Sequence, residues 1–293
     1  MTTDKRQVNP EEKMPLRVYT PRSALRSPLR LAAEIIRGLG EGRELAWRLT
    51  VRDISAQYRQ SALGIAWAFA MPLANTLTWI FLNASGVVEV SRTDIPYPLY
   101  VFTGTMLWSI FMEALNAPMQ KTQAAKSMLT KINFPRESLI LGAIYHVLFN
   151  SAIKCLLMML AVAASGIWPG PRILLFPLGV LALMLAGVAC GLLITPIGIL
   201  YRDIGNALPL LMSFFMYLTP VVFPLPQEGW AALIIRLNPM TPLILSTRDW
   251  LTGGDHGMAL AFMAVAGLIA GAWILTMIVY RTTLPILIER MSA

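Results

Sequence analysis

The amino-acid sequence predicts an all-α polytopic membrane protein. It should have six transmembrane helices, an N-terminal amphipathic interfacial helix, and two short re-entrant half-helices between the fifth and sixth spans. Three observations lead there. The 293 residues are 56% hydrophobic and only 14% charged, with mean hydropathy +0.60, an apolar excess that soluble domains do not carry. The charged residues are bunched, leaving five long intervals without Asp, Glu, Lys or Arg and a sixth broken only by Lys154. The basic residues are also asymmetric: 12 of the 24 Lys and Arg precede residue 60. A net charge of +8 placed this way is a topology signal and does not indicate nucleic acid.

Residues 1–40 read as a cytosolic tail, polar, basic and punctuated by Pro10, Pro15, Pro21 and Pro28. RGLGEG at 37–42 reads as a flexible joint. Residues 41–60 form the interfacial helix. At 100° per residue Trp47, Val51, Ile54 and Tyr58 fall within about 60° of one another, while Arg48, Arg52 and Arg59 cluster roughly 120° away. One greasy flank and one basic flank suit a helix lying at anionic headgroups. Leu45 and Leu49 point to the opposite side, where a protein partner would cover them.

The charge-free intervals run 60–88, 95–112, 138–153 continuing past Lys154 to 171, 173–201, 204–227 and 256–280. A hydrocarbon core of ~30 Å takes about 20 helical residues, so each interval holds one span, six in all over 61–281. Residues 228–255 are apolar but broken at Arg236, Asn238-Pro239, Thr241-Pro242 and Arg248, and read as two re-entrant or interfacial half-helices. With the N-terminus inside, 19 basic residues fall in the cytosol, against Arg92, Arg172, Arg236 and Arg248 outside and Lys154 within a span. The 116–137 loop, the Tyr201-Arg202-Asp203 turn and the 282–293 tail are then cytosolic. Both termini then lie on the cytosolic side of a membrane crossed several times.

Catalytic chemistry has little to stand on. There are two histidines, His146 and His256, and no cluster with metal-ligand spacing. No Gly-Lys pair occurs, so a phosphate-binding GxxxxGK[ST] loop is absent and ATP must be hydrolysed elsewhere if it powers this protein. Cys155 and Cys190 both fall in predicted spans and read as small buried residues. His146, Asn150 and Lys154 stand at i, i+4, i+8 and make one face of the third span polar; Glu113 lies near the inner end of the second. That face should look at a helix, a second subunit or a water path, or carry a lysine that snorkels to the outer interface. Trp67, Phe69 and Trp79 on the first span, with Phe214, Phe215, Tyr217 and Phe223 on the fifth, are packing residues or lipid anchors. As a set they could instead line a passage for sugars, whose C–H faces stack on rings.

Four blocks of the chain carry a family resemblance. VRDISAQYRQSALGIAWAFAMPL, AKSMLTKINFPRESL, GILYRDIGNALPLLMSFFMYLTPVVFPLP and LNPMTPL occur in order over about residues 40–285. They resemble the permease subunits of ABC exporters for polysaccharides and polyol phosphates, which export O-antigen, capsule or teichoic acid. The resemblance implies a homodimer of six-span subunits with two separate ATPase copies, which hold the ATP and Mg; this chain needs no cofactor of its own. It implies that the 41–60 helix contacts the ATPase, with Leu45, Leu49, Arg52, Asp53, Tyr58 and Arg59 there and Tyr201, Arg202 and Asp203 in the cytosolic turn. Capping and headgroup pairing are the alternatives for these charges. Within a permease domain over 61–281 in a bacterial cytoplasmic membrane, the 116–137 loop, with Lys121, Lys126 and Lys131, would hold a coupling or gate helix where the polymer enters, and 228–255 the outer gate. A channel between subunits, formed by spans one and five, would pass a lipid-linked polysaccharide. An ABC exporter of a small amphipathic molecule or lipid, and a non-transporting scaffold for glycan synthesis, are the other readings.

Overall fold

A computed structural model describes residues 28–59, 67–88, 93–129 and 137–292. Within them the chain is helical: α1 (Pro28–Arg59), α2 (Trp67–Ala84), α3 (Tyr97–Ala124), a single turn α4 (Lys126–Leu129), α5 (Glu137–Ala164), α6 (Phe176–Leu200), α7 (Arg202–Tyr217), α8 (Gly229–Leu237), α9 (Met240–Thr252) and α10 (Ala259–Ser292). A 3₁₀ segment, Gly170–Leu175, leads into α6.

Three helical segments are long and apolar enough to cross a membrane: Glu137–Ala164, Gly170–Leu200 and Ala259–Thr283. The other charge-free intervals also hold helices, but shorter or more polar ones. α2 has 18 residues with Asn75, Thr76 and Thr78 within it. α7 has 16, about 24 Å of helix at 1.5 Å per residue.

The centre of the bundle is α3 against α6, and α6 can come this close because of its glycines. A Cβ on Gly187 would lie 2.6 Å from Ala114 Cβ and 2.7 Å from the Phe111 carbonyl, and one on Gly191 would strike the Leu115 carbonyl. Between helices that bury no water-exposed surface on meeting, close backbone approach is the main source of attraction. α5 and α10 flank this pair, α2 lies on α3, and α9 packs against α6, α10 and α3. α7 packs chiefly on α6.

One expectation changes here. The RGLGEG segment is no joint: α1 is continuous from Pro28, thirteen residues ahead of the predicted start at 41 and inside the segment assigned to the tail. Its Gly38 and Gly42 allow contact, since a Cβ on them would lie 2.8 Å from the Glu137 carboxyl carbon and 3.1 Å from Ser138 Cβ. In the 116–137 segment α3 stays helical to Ala124 and the single turn α4 follows.

The predicted half-helices are α8 and α9, but they differ sharply. Pro239 disfavours helical backbone at Asn238 and breaks the chain there. α8 is exposed along Trp230, Leu233 and Leu237, whereas all 13 residues of α9 are buried. α9 is therefore a core helix of the bundle and not an interfacial one. It ends at Gly253, whose φ of 80° is the left-handed cap that glycine adopts at low cost.

Candidate functional site

The site is built on α1. Gly38, Gly42, Ala46 and Thr50 recur every fourth residue and form a ladder of small side chains against the start of α5. Ala46 and Thr50 are buried, and Thr50 Oγ1 donates to Ala46 O at 2.8 Å and Gly142 O at 3.4 Å. The predicted greasy flank lies off this ladder: Trp47 is 59% and Val51 43% exposed, with Trp47 packed edge-on against Tyr145 of α5. Leu45 and Leu49 are half-buried within the chain itself. They are therefore only partly free for a partner, because the small-residue ladder seats α1 deeper than the hydrophobic stripe alone suggested.

Asp53 is where α1 meets α3. Its Oδ2 accepts from Lys121 Nζ at 2.7 Å and its Oδ1 from Arg52 Nη2 at 2.8 Å. Burial pushes this carboxyl upward, but the hydrogen bonds from Lys121 and Arg52 outweigh it and hold Asp53 below the usual aspartate value. The structure thus joins two groups that the sequence assigned separately, the interfacial helix and the gate segment. Arg52 remains two-thirds exposed at its side chain, and Arg48 pairs with Glu44 at 2.6 Å on the open face. Arg59 is exposed and Lys126 stands in α4. Lys131 and the side chains of Tyr58 and Arg202 lie outside the described residues.

Tyr201 is the single extended residue between α6 and α7, with φ −120° and ψ 107°. Asp203 sits exposed in the first turn of α7, where a carboxylate favours the helix N-terminus. The turn lies at the same level of the bundle as Lys121. Met119, two residues before Lys121, occupies the space beside Gly198 and Gly205 on either side of it.

Deeper in, the polar face of α5 finds a partner on α3. Glu113 Oε2 accepts from Lys154 Nζ at 2.8 Å, Glu113 Oε1 accepts from Asn150 Nδ2, and His146 Nε2 lies 3.9 Å from the same carboxylate. The Lys154 side chain is only 6% exposed. It does not snorkel outward, because a carboxylate on the neighbouring helix neutralises it more completely than a headgroup would.

The aromatic candidates separate by helix. Phe214 is 63% and Tyr217 50% exposed, and with Leu210, Leu211 and Phe215 they form an apolar face on α7 that the chain leaves uncovered. Trp79 of α2 is half-buried against Tyr217, ring centroids 6.1 Å apart. Phe223 lies beyond the end of α7, and its carbonyl accepts from Tyr100 Oη at 3.0 Å. The side chains of Trp67 and Phe69 lie outside the described residues.

Sequence reasoning missed how the far end of α7 is held. Arg248, counted among the basic residues outside the membrane, is 1% exposed in α9. It donates to the Pro220 and Val221 carbonyls at 3.2 and 2.7 Å and stacks 3.7 Å above the Tyr100 ring. Gly104 on α3 leaves the room, since a Cβ there would strike Val221 O and the guanidinium. Asn238 completes the clamp, donating to Leu218 O and Thr219 Oγ1 and accepting from the Met240 N–H. The only sequence signal for this was an arginine inside an otherwise apolar half-helix.

Comparison with known proteins fits this arrangement. Residues 44–251, running from α1 through α9, match the family model described as ABC-2 type transporter, well over half of the chain. The chain belongs to the ABC-2 type transporter family. It is accordingly a transport subunit and not an enzyme, and the ATPase activity lies in a separate partner. It is 29% identical over 216 residues to an O-antigen export system permease protein, RfbA, of Myxococcus xanthus, covering 72% of this chain and 82% of that one. It is 24% identical over 253 residues to the RfbA of Klebsiella pneumoniae (80% and 91%). It is 23% identical over 228 residues to the polysialic acid transport protein KpsM of Escherichia coli (75% and 87%). Among the described residues no group of three or more His, Cys, Asp or Glu is arranged to hold a metal ion.

Proposed function

We propose that this chain is the permease of an exporter that carries a lipid-linked polysaccharide, O-antigen foremost, out across the cytoplasmic membrane. Two copies form the channel, each with six spans and cytosolic termini, and two ATPase subunits drive it from below. The observation that carries this reading is the uncovered face of α7. Leu210, Leu211, Phe214, Phe215 and Tyr217 project from a helix fixed at its far end, beside Trp79 of α2. Facing its counterpart in a second copy, that surface encloses a path with ring faces for sugar C–H groups and no fixed ion to trap a long chain. A sugar polymer needs such a path, since each hydroxyl stripped of its hydrogen bonds costs roughly 2–7 kcal/mol. The names of the relatives point to the same cargo class. On this reading α1, with Arg48, Arg52 and Arg59 on its open side, takes the ATPase contact, and the turn at Tyr201–Asp203 lies beside it.

The test is depletion of the chain in its host, followed by extraction of lipid-linked glycans from the inner membrane. Accumulation there with loss from the cell surface is the expected result. An unchanged glycan pool would overturn the reading and favour an exporter of small amphipathic molecules.

A further inference from the structure

Glu113 and Lys154 form an ion pair inside the helix bundle, and stability does not account for it. Desolvating two charges offsets most of their attraction, and well-packed apolar side chains of similar size serve as well or better. What an apolar pair cannot do is fix register: it packs comparably after a small slide, whereas the carboxylate and ammonium meet only when the two helices are aligned. Asn150 adds a second donor to the same carboxylate, and His146 lies within electrostatic reach of both Glu113 and the Asp53–Lys121 pair.

The pair has a particular place in the fold. α5 is the helix on which α1 is seated through the Gly38–Thr50 ladder. α1 is tied to α3 as well, by Asp53–Lys121. Lys121 is eight residues beyond Glu113 on α3, about 12 Å along the axis. Two ionic ties at separate heights oppose tilting as well as sliding.

We infer that Glu113 and Lys154 are positioning residues for transport: with Asp53–Lys121 they lock α1, α3 and α5 into one body. A displacement delivered to α1 then reaches the spans undiminished. The inference rests on the exporter reading and adds which residues transmit the movement.

The test uses the permease–ATPase complex in vesicles and reads polymer exported per ATP hydrolysed. In Glu113→Gln/Lys154→Met, abundance, melting temperature and ATPase retention should stay unchanged. The export-to-hydrolysis ratio should fall roughly 2- to 30-fold, the range expected of mutations along a coupling network. The reversed pair Glu113→Lys/Lys154→Glu should restore the ratio. A wild-type ratio in the neutral variant overturns the inference, and so does a drop in melting temperature with the ratio intact, which marks a merely structural pair.

A second variant stands if those fail to fold. Asp53→Cys/Lys121→Cys, with Cys155 and Cys190 replaced by alanine, should have a low ratio when unlinked and regain it when bridged by a short bifunctional maleimide. Inactivity of the bridged form would mean that α1 must slide on α3, contrary to the inference. If the wild-type chain retains no ATPase, the exporter reading fails instead. The lock is then read from spin labels at Glu44→Cys and Gln123→Cys, whose single narrow distance should broaden in the neutral variant; a broad distance in the wild type refutes the lock itself.

Discussion

Gly187→Ala, compared with Gly271→Ala, isolates the close approach of α3 and α6. Both glycines lie inside long helices, so replacing either gains a similar intrinsic helix propensity, up to ~1 kcal/mol. At Gly271 the new methyl meets nothing within 4 Å, and the gain stands alone. At Gly187 it would lie 2.6 Å from Ala114 Cβ, 2.7 Å from the Phe111 carbonyl and 3.0 Å from the Leu115 amide nitrogen. Two of these three atoms are backbone and cannot rotate away, so the helices must separate. Overpacking of this kind costs ~1–3 kcal/mol, with further loss as neighbouring contacts along the seam open. After the propensity gain, Gly187→Ala should be destabilised by ~1–2 kcal/mol and Gly271→Ala unchanged or slightly stabilised. The assay is unfolding in mixed micelles by titration with a denaturing detergent, followed by helical circular dichroism. Equal behaviour of the two variants would refute the assignment of α3–α6 as the close-packed seam.

Three further outcomes follow from the far end of the bundle and from the cargo. Asn238→Ala removes two donated bonds and the acceptor for the Met240 N–H, and should cost ~2 kcal/mol in the same titration; no change would mean that α8 and α9 are held otherwise. His256 is held above its ordinary value of 6.5, first by the hydrogen bond to Asp249 and against the opposing effect of burial, with Asp94 adding to the rise and Arg248 reducing it. A raised folded value means that its contribution is complete below about pH 6.5 and is lost as pH rises through the folded value. Hydrogen exchange of the 253–258 amides, corrected for intrinsic rate, should therefore quicken between pH 6 and pH 8, and a constant corrected rate would count against it. Depletion of the chain should raise lipid-linked glycan in the inner membrane several-fold, as the exporter reading requires.

The helical class, the charge-free intervals and the two flanks of α1 were legible in the sequence, because they depend on residues close together in the chain. Trp47 and Val51 do stand on the open flank, and α8 and α9 do break at Asn238-Pro239. The polar face of α5 was legible too, as a face that needed company. What company it has was not: Glu113 and Lys154 are 41 residues apart and meet only because α3 and α5 pack at one particular height. The same reason explains the errors. Glycines at 38 and 42 signal freedom in an isolated chain and close contact beside Glu137 and Ser138. Arg248 looks like an outward cation interrupting a half-helix until Tyr100 and two carbonyls surround it. Periodicity determines which residues share a helix face, and that much the sequence decided alone. The rotation and offset of one helix against another arise from steric fit and charge pairing between distant segments, so the lock of α1 to α3 and α5, the burial of α9 and the open face of α7 were decided only in the tertiary structure.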